Sequence, residues 1–169
     1  IHEADIRKYD EITPLISDVE AVIHLAAYTN VPRSTENPMM DFDTNTEGTF
    51  NVLRSCKESD TIEKIVFASS NAAVGEVEGA VDENRVPEPI APYGTSKLYG
   101  EGLCSSFSRN YNFKAVSLRF ANAYGPYSGH KTSVVPKFIR RAREGKNLEI
   151  YGDGYQTRDF IHSKDISSA

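Results

Sequence analysis

Ala21-Val22-Ile23-His24-Leu25-Ala26-Ala27 is a short, nearly continuous apolar run, and its reading decides the fold. A strand buried on both faces of a parallel sheet carries such a run, whereas a half-exposed strand alternates. Ile65-Val66-Phe67-Ala68 and Val116-Ser117-Leu118-Arg119-Phe120 repeat it. Between the first two runs Phe42, Asn45, Thr49, Val52, Leu53 and Cys56 recur every three or four residues, as one stripe of a helix does. A second helix is expected from Tyr93 onward, before the third run. Strand, helix, strand, helix, strand predicts an α/β fold: a doubly wound parallel sheet with right-handed crossovers.

After Phe120 a loop rich in Gly, Pro and Ser leads to a predicted helix over about 133–144, with Pro136 tolerable in its first turn. A short strand over 148–151 is expected next, turned by Gly152-Asp153-Gly154. The expected organisation is a sheet domain over 1–130 and the start of a second lobe over 131–169.

Composition narrows the function classes. The chain has 169 residues and a formal net charge of -5, so no basic excess is present to bind nucleic acid or an acidic membrane surface. No apolar stretch approaches the ~20 residues that span a bilayer. Cys56 and Cys104 stand apart from any Cys or His, so neither a disulfide framework nor a metal site is expected. These features predict a cytoplasmic protein. The chain opens on Ile1-His2-Glu3 and closes within what reads as a helix, and it is expected to be part of a longer polypeptide.

In open parallel sheets, ligands lie outside the carboxyl ends of the strands. That rule selects Ala26-Ala27-Tyr28, Ser69-Ser70-Asn71 and Ala121-Asn122-Ala123. Tyr93-Gly94-Thr95-Ser96-Lys97 starts on the same side and puts a phenol and an ammonium on one helical face. A nearby cation favours the phenolate and brings it toward the range of an acid/base catalyst. By itself a Tyr-x-x-x-Lys more often marks an exposed polar face. His24, inside a strand run, reads as a satisfied core histidine, and Arg119 as a structural ion-pair partner. Asn45 falls on the apolar stripe of its helix, where an unpartnered amide would cost on the order of 1–3 kcal/mol, so it must have hydrogen-bond partners.

Taken together, Asp5-Ile6, His24-Leu25-Ala26-Ala27, Asn45-x-x-Gly48-Thr49, Phe67-Ala68-Ser69-Ser70, Tyr93-x-x-x-Lys97, Leu118-Arg119-x-x-Asn122 and Arg158-Asp159-Phe160-Ile161-His162 resemble the extended short-chain dehydrogenase/reductase family. Within it the match is to the NAD-dependent nucleotide-sugar epimerases and dehydratases, and it covers essentially the whole chain. The resemblance implies a Rossmann-like domain with NAD as cofactor and a nucleotide-diphosphate sugar, a UDP-sugar, as substrate. Tyr93 is then the acid/base, Lys97 holds the nicotinamide ribose, and Ser70 bridges the substrate oxygen. The resemblance gives Asp5, Ile6, Leu25, Ala26, Ala27, Tyr28, Asn45 and Ser69 to the cofactor site, with Asn45 bracing the backbone there. Asn122 and Arg158 bind the substrate diphosphate; an ion pair of Arg158 with Asp153 or Asp159 is the alternative. A homodimer formed through helices from about Asp41 and from Tyr93 is also implied.

Departures from the family pattern refine the expectation. Dehydratases of this group carry an Asp-Glu pair after the strand-end hydroxyl, and the decarboxylases keep a glutamate there. Asn71-Ala72 stands in those positions and cannot supply a proton, which favours 4-epimerisation. Val74 and Ala123 replace a frequent tyrosine and proline. None of the 11 glycines forms the Gly-x-x-Gly-x-x-Gly turn that receives a dinucleotide pyrophosphate. The 169 residues alone are therefore expected to hold NAD poorly and to leave the first strand's edge bare. The competing reading is a non-catalytic dinucleotide-binding remnant, against which the joint presence of Tyr93, Lys97 and Ser70 argues.

Overall fold

The computed structural model describes residues 1–169 and divides them into two compact units, Ile1–Arg119 and Phe120–Ala169. In the first, helix α1 (Tyr9–Ile16) precedes strand β1 (Ala21–His24). Short helices α2 (Val31–Glu36) and α3 (Pro38–Asp41) follow, then a π-helical turn over Phe42–Glu47 that runs into α4 (Gly48–Glu58). β2 (Lys64–Ser70) lies parallel to β1, with Ala21 opposite Lys64 and His24 opposite Phe67. The long helix α5 (Pro92–Asn110) returns the chain to β3 (Lys114–Phe120), and the sheet order is β1-β2-β3. The parallel, Rossmann-like α/β fold expected from the three apolar runs is therefore present.

The core lies on one side of this sheet. Ile65 and Phe67 of β2 pack with Val52, Leu53 and Cys56 of α4, Cys104 and Phe107 of α5, Phe113, and Ile12 and Ile16 of α1. Gly100 lets α5 approach closely, because a Cβ there would lie 2.4 Å from the Phe67 ring. The expectation that the strands are buried on both faces is not met. Ile23 is 68% exposed and Val116 51%. The reason is topological: two right-handed crossovers that step in the same direction put both helices on the same face. β1 is an edge strand, as expected.

Two further expectations need correction. Phe42 is not part of the buried stripe; it is exposed, and Asp41 is buried in its place. The i→i+5 turn over Phe42–Glu47 is wider than an α turn, so the residue four before Asn45, not three, comes into line with it. The segment 148–151 forms no strand, and its Ile150 and Tyr151 are exposed because nothing pairs with it. The turn at Gly152 and Gly154 is present, both with positive φ.

In the second unit β4 (Asn122–Tyr124) pairs in parallel with β5 (Phe160–His162), Asn122 opposite Phe160. Helix α6 (Val134–Arg143) accepts Pro136 in its first turn, and α7 (Ser163–Ser168) is capped by the His162 ring, whose Nδ1 accepts from the Lys164 N–H at 3.1 Å. No helix is long and apolar enough to cross a membrane.

His24 is a satisfied core residue: 4% exposed, Nε2 3.0 Å from the Thr49 hydroxyl, its ring against Phe67. Burial, with the Lys97 charge adding to it, pushes its pKa from 6.5 down to about 4. The unfolded chain therefore binds this proton first on acidification. Stability from neutral His24 is full above about pH 6.5 and is lost as pH falls toward 4, about 3 kcal/mol in all. Denaturant unfolding across that window should show the decline in the parent protein, and His24→Gln should flatten it. A parallel slope in the two proteins would refute the assignment.

Candidate active site

The centre of the site is where β2 ends and α5 begins. Pro92 occupies the first position of α5, where its missing N–H is no loss. No side chain of Ala91 caps the helix; the Tyr93 N–H instead donates to the Ser34 hydroxyl at 3.2 Å. Ser34 is wholly buried and donates in turn to the Val31 carbonyl at 2.7 Å. Its helix, α2, is itself capped by Asn30, which accepts from the Arg33 N–H at 3.0 Å. Gly94 brings α5 against the 3-10 turn over Asn71–Ala73, since a Cβ at Gly94 would sit 2.2 Å from the Ala72 carbonyl oxygen.

This close approach joins Tyr93, Lys97 and Ser70. Tyr93 and Lys97 are both buried, at 9% and 4% exposure. The ammonium donates to the Ala68 carbonyl at 2.8 Å and lies 4.9 Å from the Phe67 ring centroid and 5.9 Å from that of Tyr93. Burial lowers its pKa to about 8, against the opposing pull of Asp41. Ser70 caps the 3-10 turn, accepting from the Ala72 N–H at 3.2 Å, and its hydroxyl also donates to the Asn71 side-chain oxygen at 3.3 Å.

The spacing predicts that Lys97 draws the Tyr93 phenol toward the range of an acid/base catalyst, and here the structure differs. Burial raises the phenol, the hydrogen bond with Ser70 works against that rise, and the charge of Asp41 adds to it. The ammonium is held on the Ala68 carbonyl, on the side of the strand, and does not offset the burial of the phenol in the chain by itself.

Asn45 braces the end of β1. Its Oδ1 accepts from the Tyr28 N–H at 2.7 Å, and its Nδ2 donates to the Tyr28 carbonyl at 2.9 Å, to Asp41 Oδ1 at 2.8 Å and to the Ser96 hydroxyl at 3.3 Å. The amide is thus fully committed within the protein. Just before Tyr28, Leu25 and Ala26 are exposed and Ala27 half-buried, an open shelf of mostly small residues. Asp5 is ionised, its carboxylate held at about 2 by the Arg7 guanidinium and backbone. The Ile6 and Arg7 carbonyls accept from Asn51 at 3.1 and 3.2 Å, which pins this loop to α4 beside Gly48.

Ser69 faces the other way. Its hydroxyl donates to Glu101, which also takes a two-pronged ion pair from Arg119 at 2.9 and 2.7 Å. Strand alternation turns the Ser69 side chain toward α5 and commits it to Glu101, so the contact expected of Ser69 falls to its backbone. Arg119 is the structural ion-pair partner expected.

Asn122 and Arg158 lie in the second unit. The Asn122 side-chain amide donates to the Asp159 carbonyl at 2.9 Å, and the β4–β5 register brings it two residues past Arg158. Arg158 is exposed, donates to the Thr157 carbonyl at 2.7 Å and takes neither Asp153 nor Asp159 as an ion-pair partner. Its guanidinium is left with free donors.

Sequence reasoning passed over Asp41, Ser34, Ser96, Asn51 and Glu101. Asp41 had a visible signal, since it stands four residues before Asn45 on the same helical segment. Ser34 had none, because its role exists only once α2 packs against the start of α5.

Comparison with known proteins matches residues 1–169 to the family described as NAD dependent epimerase/dehydratase. A Methanocaldococcus jannaschii protein with a provisional UDP-glucose 4-epimerase name is 43% identical over 171 residues, covering 98% of this chain and 56% of its own. The crystal structure of a Thermotoga maritima UDP-glucose 4-epimerase with UDP-glucose superposes with a TM-score of 0.93 at 32% identity, covering 99% of this chain and 56% of that one. A Bacillus cereus UDP-glucuronic acid 4-epimerase, solved with UDP-glucuronic acid and NAD, gives 0.86 at 34% identity, covering 96% and 51%. The chain spans about half the length of the curated relatives it matches. With the motif residues of the first unit gathered at its strand ends and the match running from the first residue to the last, the chain belongs to the NAD dependent epimerase/dehydratase family.

Proposed function

We propose that the full-length protein is an NAD-dependent nucleotide-sugar 4-epimerase acting on a UDP-hexose. The observation that carries this reading is the junction of Tyr93 and Ser70 beside a buried ammonium, with an amide and a methyl at Asn71-Ala72 where elimination would need an acid. Tyr93 takes the proton of the sugar 4-hydroxyl and returns it, while Ser70 holds the oxygen at its side. Relatives named for 4-epimerisation of UDP-glucose and UDP-glucuronate support the reaction class and leave the hexose open.

The residues present fit the nicotinamide and adenine ends of the cofactor. Lys97 spends one donor on Ala68 and keeps others for a ribose, Ala26 and Ala27 leave the backbone approachable, and Asp5 with Ile6 suits the adenine side. Bound NAD would supply the acceptor for the hydrogen and electron pair of the sugar C4, and its positive charge would favour the Tyr93 phenolate. Asn122 and the unpaired guanidinium of Arg158 suit the substrate diphosphate.

A homodimer accords with the exposed apolar faces of the α3 to α4 segment and α5. Met39, Phe42, Ile90, Pro92 and Tyr99 line a groove of about 730 Å³ there. Two free, buried cysteines suit a reducing, cytoplasmic setting. The test is incubation of the full-length protein with single UDP-sugars and separation of the products. Formation of the 4-epimer supports the reading, and a 4-keto-6-deoxy or decarboxylated product replaces it with a rival chemistry of the same family.

A further inference from the structure

Asp41 and Lys97 are the two buried charged side chains of this chain, 1% and 4% exposed, and neither forms an ion pair. A buried ion without a counter-charge is strongly disfavoured, whereas two of opposite sign in one polar network sustain each other. A polar network carries Asp41 to the turn of α5 that holds Lys97. Asn45 donates to Asp41 Oδ1 at 2.8 Å and to the Ser96 hydroxyl at 3.3 Å, Ser96 donates to the Tyr93 carbonyl at 3.0 Å, and Lys97 is the next residue of α5. Glu101, one turn further along α5, is committed to Arg119 and does not serve.

We propose that Asp41 is the counter-charge of Lys97 and a positioning residue for the Tyr93–Lys97 pair. Its charge sustains the ammonium, and through Asn45 and Ser96 its carboxylate ties the start of α5 to the end of β1. The charged and titratable groups acting within this cluster are Asp41 ahead of α4, Tyr93 and Lys97 on α5, and His24 on β1. Asp41 raises both Lys97 and Tyr93, and burial raises Asp41 itself against the Lys97 charge. Asp41→Asn keeps the shape and an acceptor oxygen but removes the charge. Only the kinetic consequence of this proposal rests on the epimerase reading.

The test is side-chain NMR titration of lysine-labelled full-length protein, with Lys97→Met identifying the Lys97 signal. Asp41→Asn should make Lys97 lose its proton at lower pH, with roughly tenfold weaker proton binding. An unchanged Lys97 titration overturns the proposal. The reciprocal measurement guards against a poorly folded Asp41→Asn: in Lys97→Met the Asp41 carboxyl should titrate at higher pH, and an unmoved carboxyl is equally fatal. If the protein is an epimerase, both limbs of the kcat/KM profile of Asp41→Asn shift toward lower pH, since loss of a negative charge lowers Tyr93 and Lys97 together. The NMR result stands whatever the substrate proves to be.

Discussion

Tyr93→Phe in the full-length protein is expected to reduce epimer interconversion roughly a thousandfold while leaving the fold and bound NAD intact. The phenol is the buried aromatic hydroxyl at the strand ends, with a buried ammonium beside it and the Ser70 hydroxyl acting on its ionisation. Removing its oxygen takes away the group proposed above to accept and return the sugar proton, and it changes little packing volume. Steady-state kcat and the NAD content of the purified variant check both halves. Turnover close to that of the parent would remove Tyr93 from the chemistry.

Asn45→Leu should be the most destabilising single change of similar volume in the site. The variant would strand the Tyr28 N–H and carbonyl and the buried Asp41 carboxylate at once. Each buried polar group left unpartnered costs about 1–3 kcal/mol, so a loss on the order of 4 kcal/mol is expected. Denaturant midpoints measure it. A loss under about 1 kcal/mol would mean that water or a rearranged backbone replaces the amide, and that Asn45 is not the brace described above.

Much of this was legible in the sequence, and the exceptions share a cause. The three apolar runs located β1, β2 and β3, and the four-residue spacing of Tyr93 and Lys97 placed them on one face of α5. An amide on an apolar stripe announced that Asn45 had partners, without saying which. The exposed back face of the sheet was not legible, because a run of apolar residues does not state which way successive crossovers step. Nor was the π turn over Phe42–Glu47, whose extra residue exchanges Phe42 for Asp41 in the interior. The direction of the Tyr93 pKa was misread for a related reason: spacing along a helix gives proximity to a cation, whereas the depth of burial that outweighs it is a property of the assembled fold.

Whether Tyr93 and its neighbours serve a reversible oxidation at the sugar C4 can be read from an isotopic label. The full-length protein is given a UDP-hexose carrying deuterium at C4, and the epimeric product is isolated from ordinary water. Retention of the deuterium at C4 with inverted configuration is the predicted result, because the proposed chemistry returns to C4 the same hydrogen it removes. Loss of the label to solvent, or no epimer at all, would rule out this chemistry.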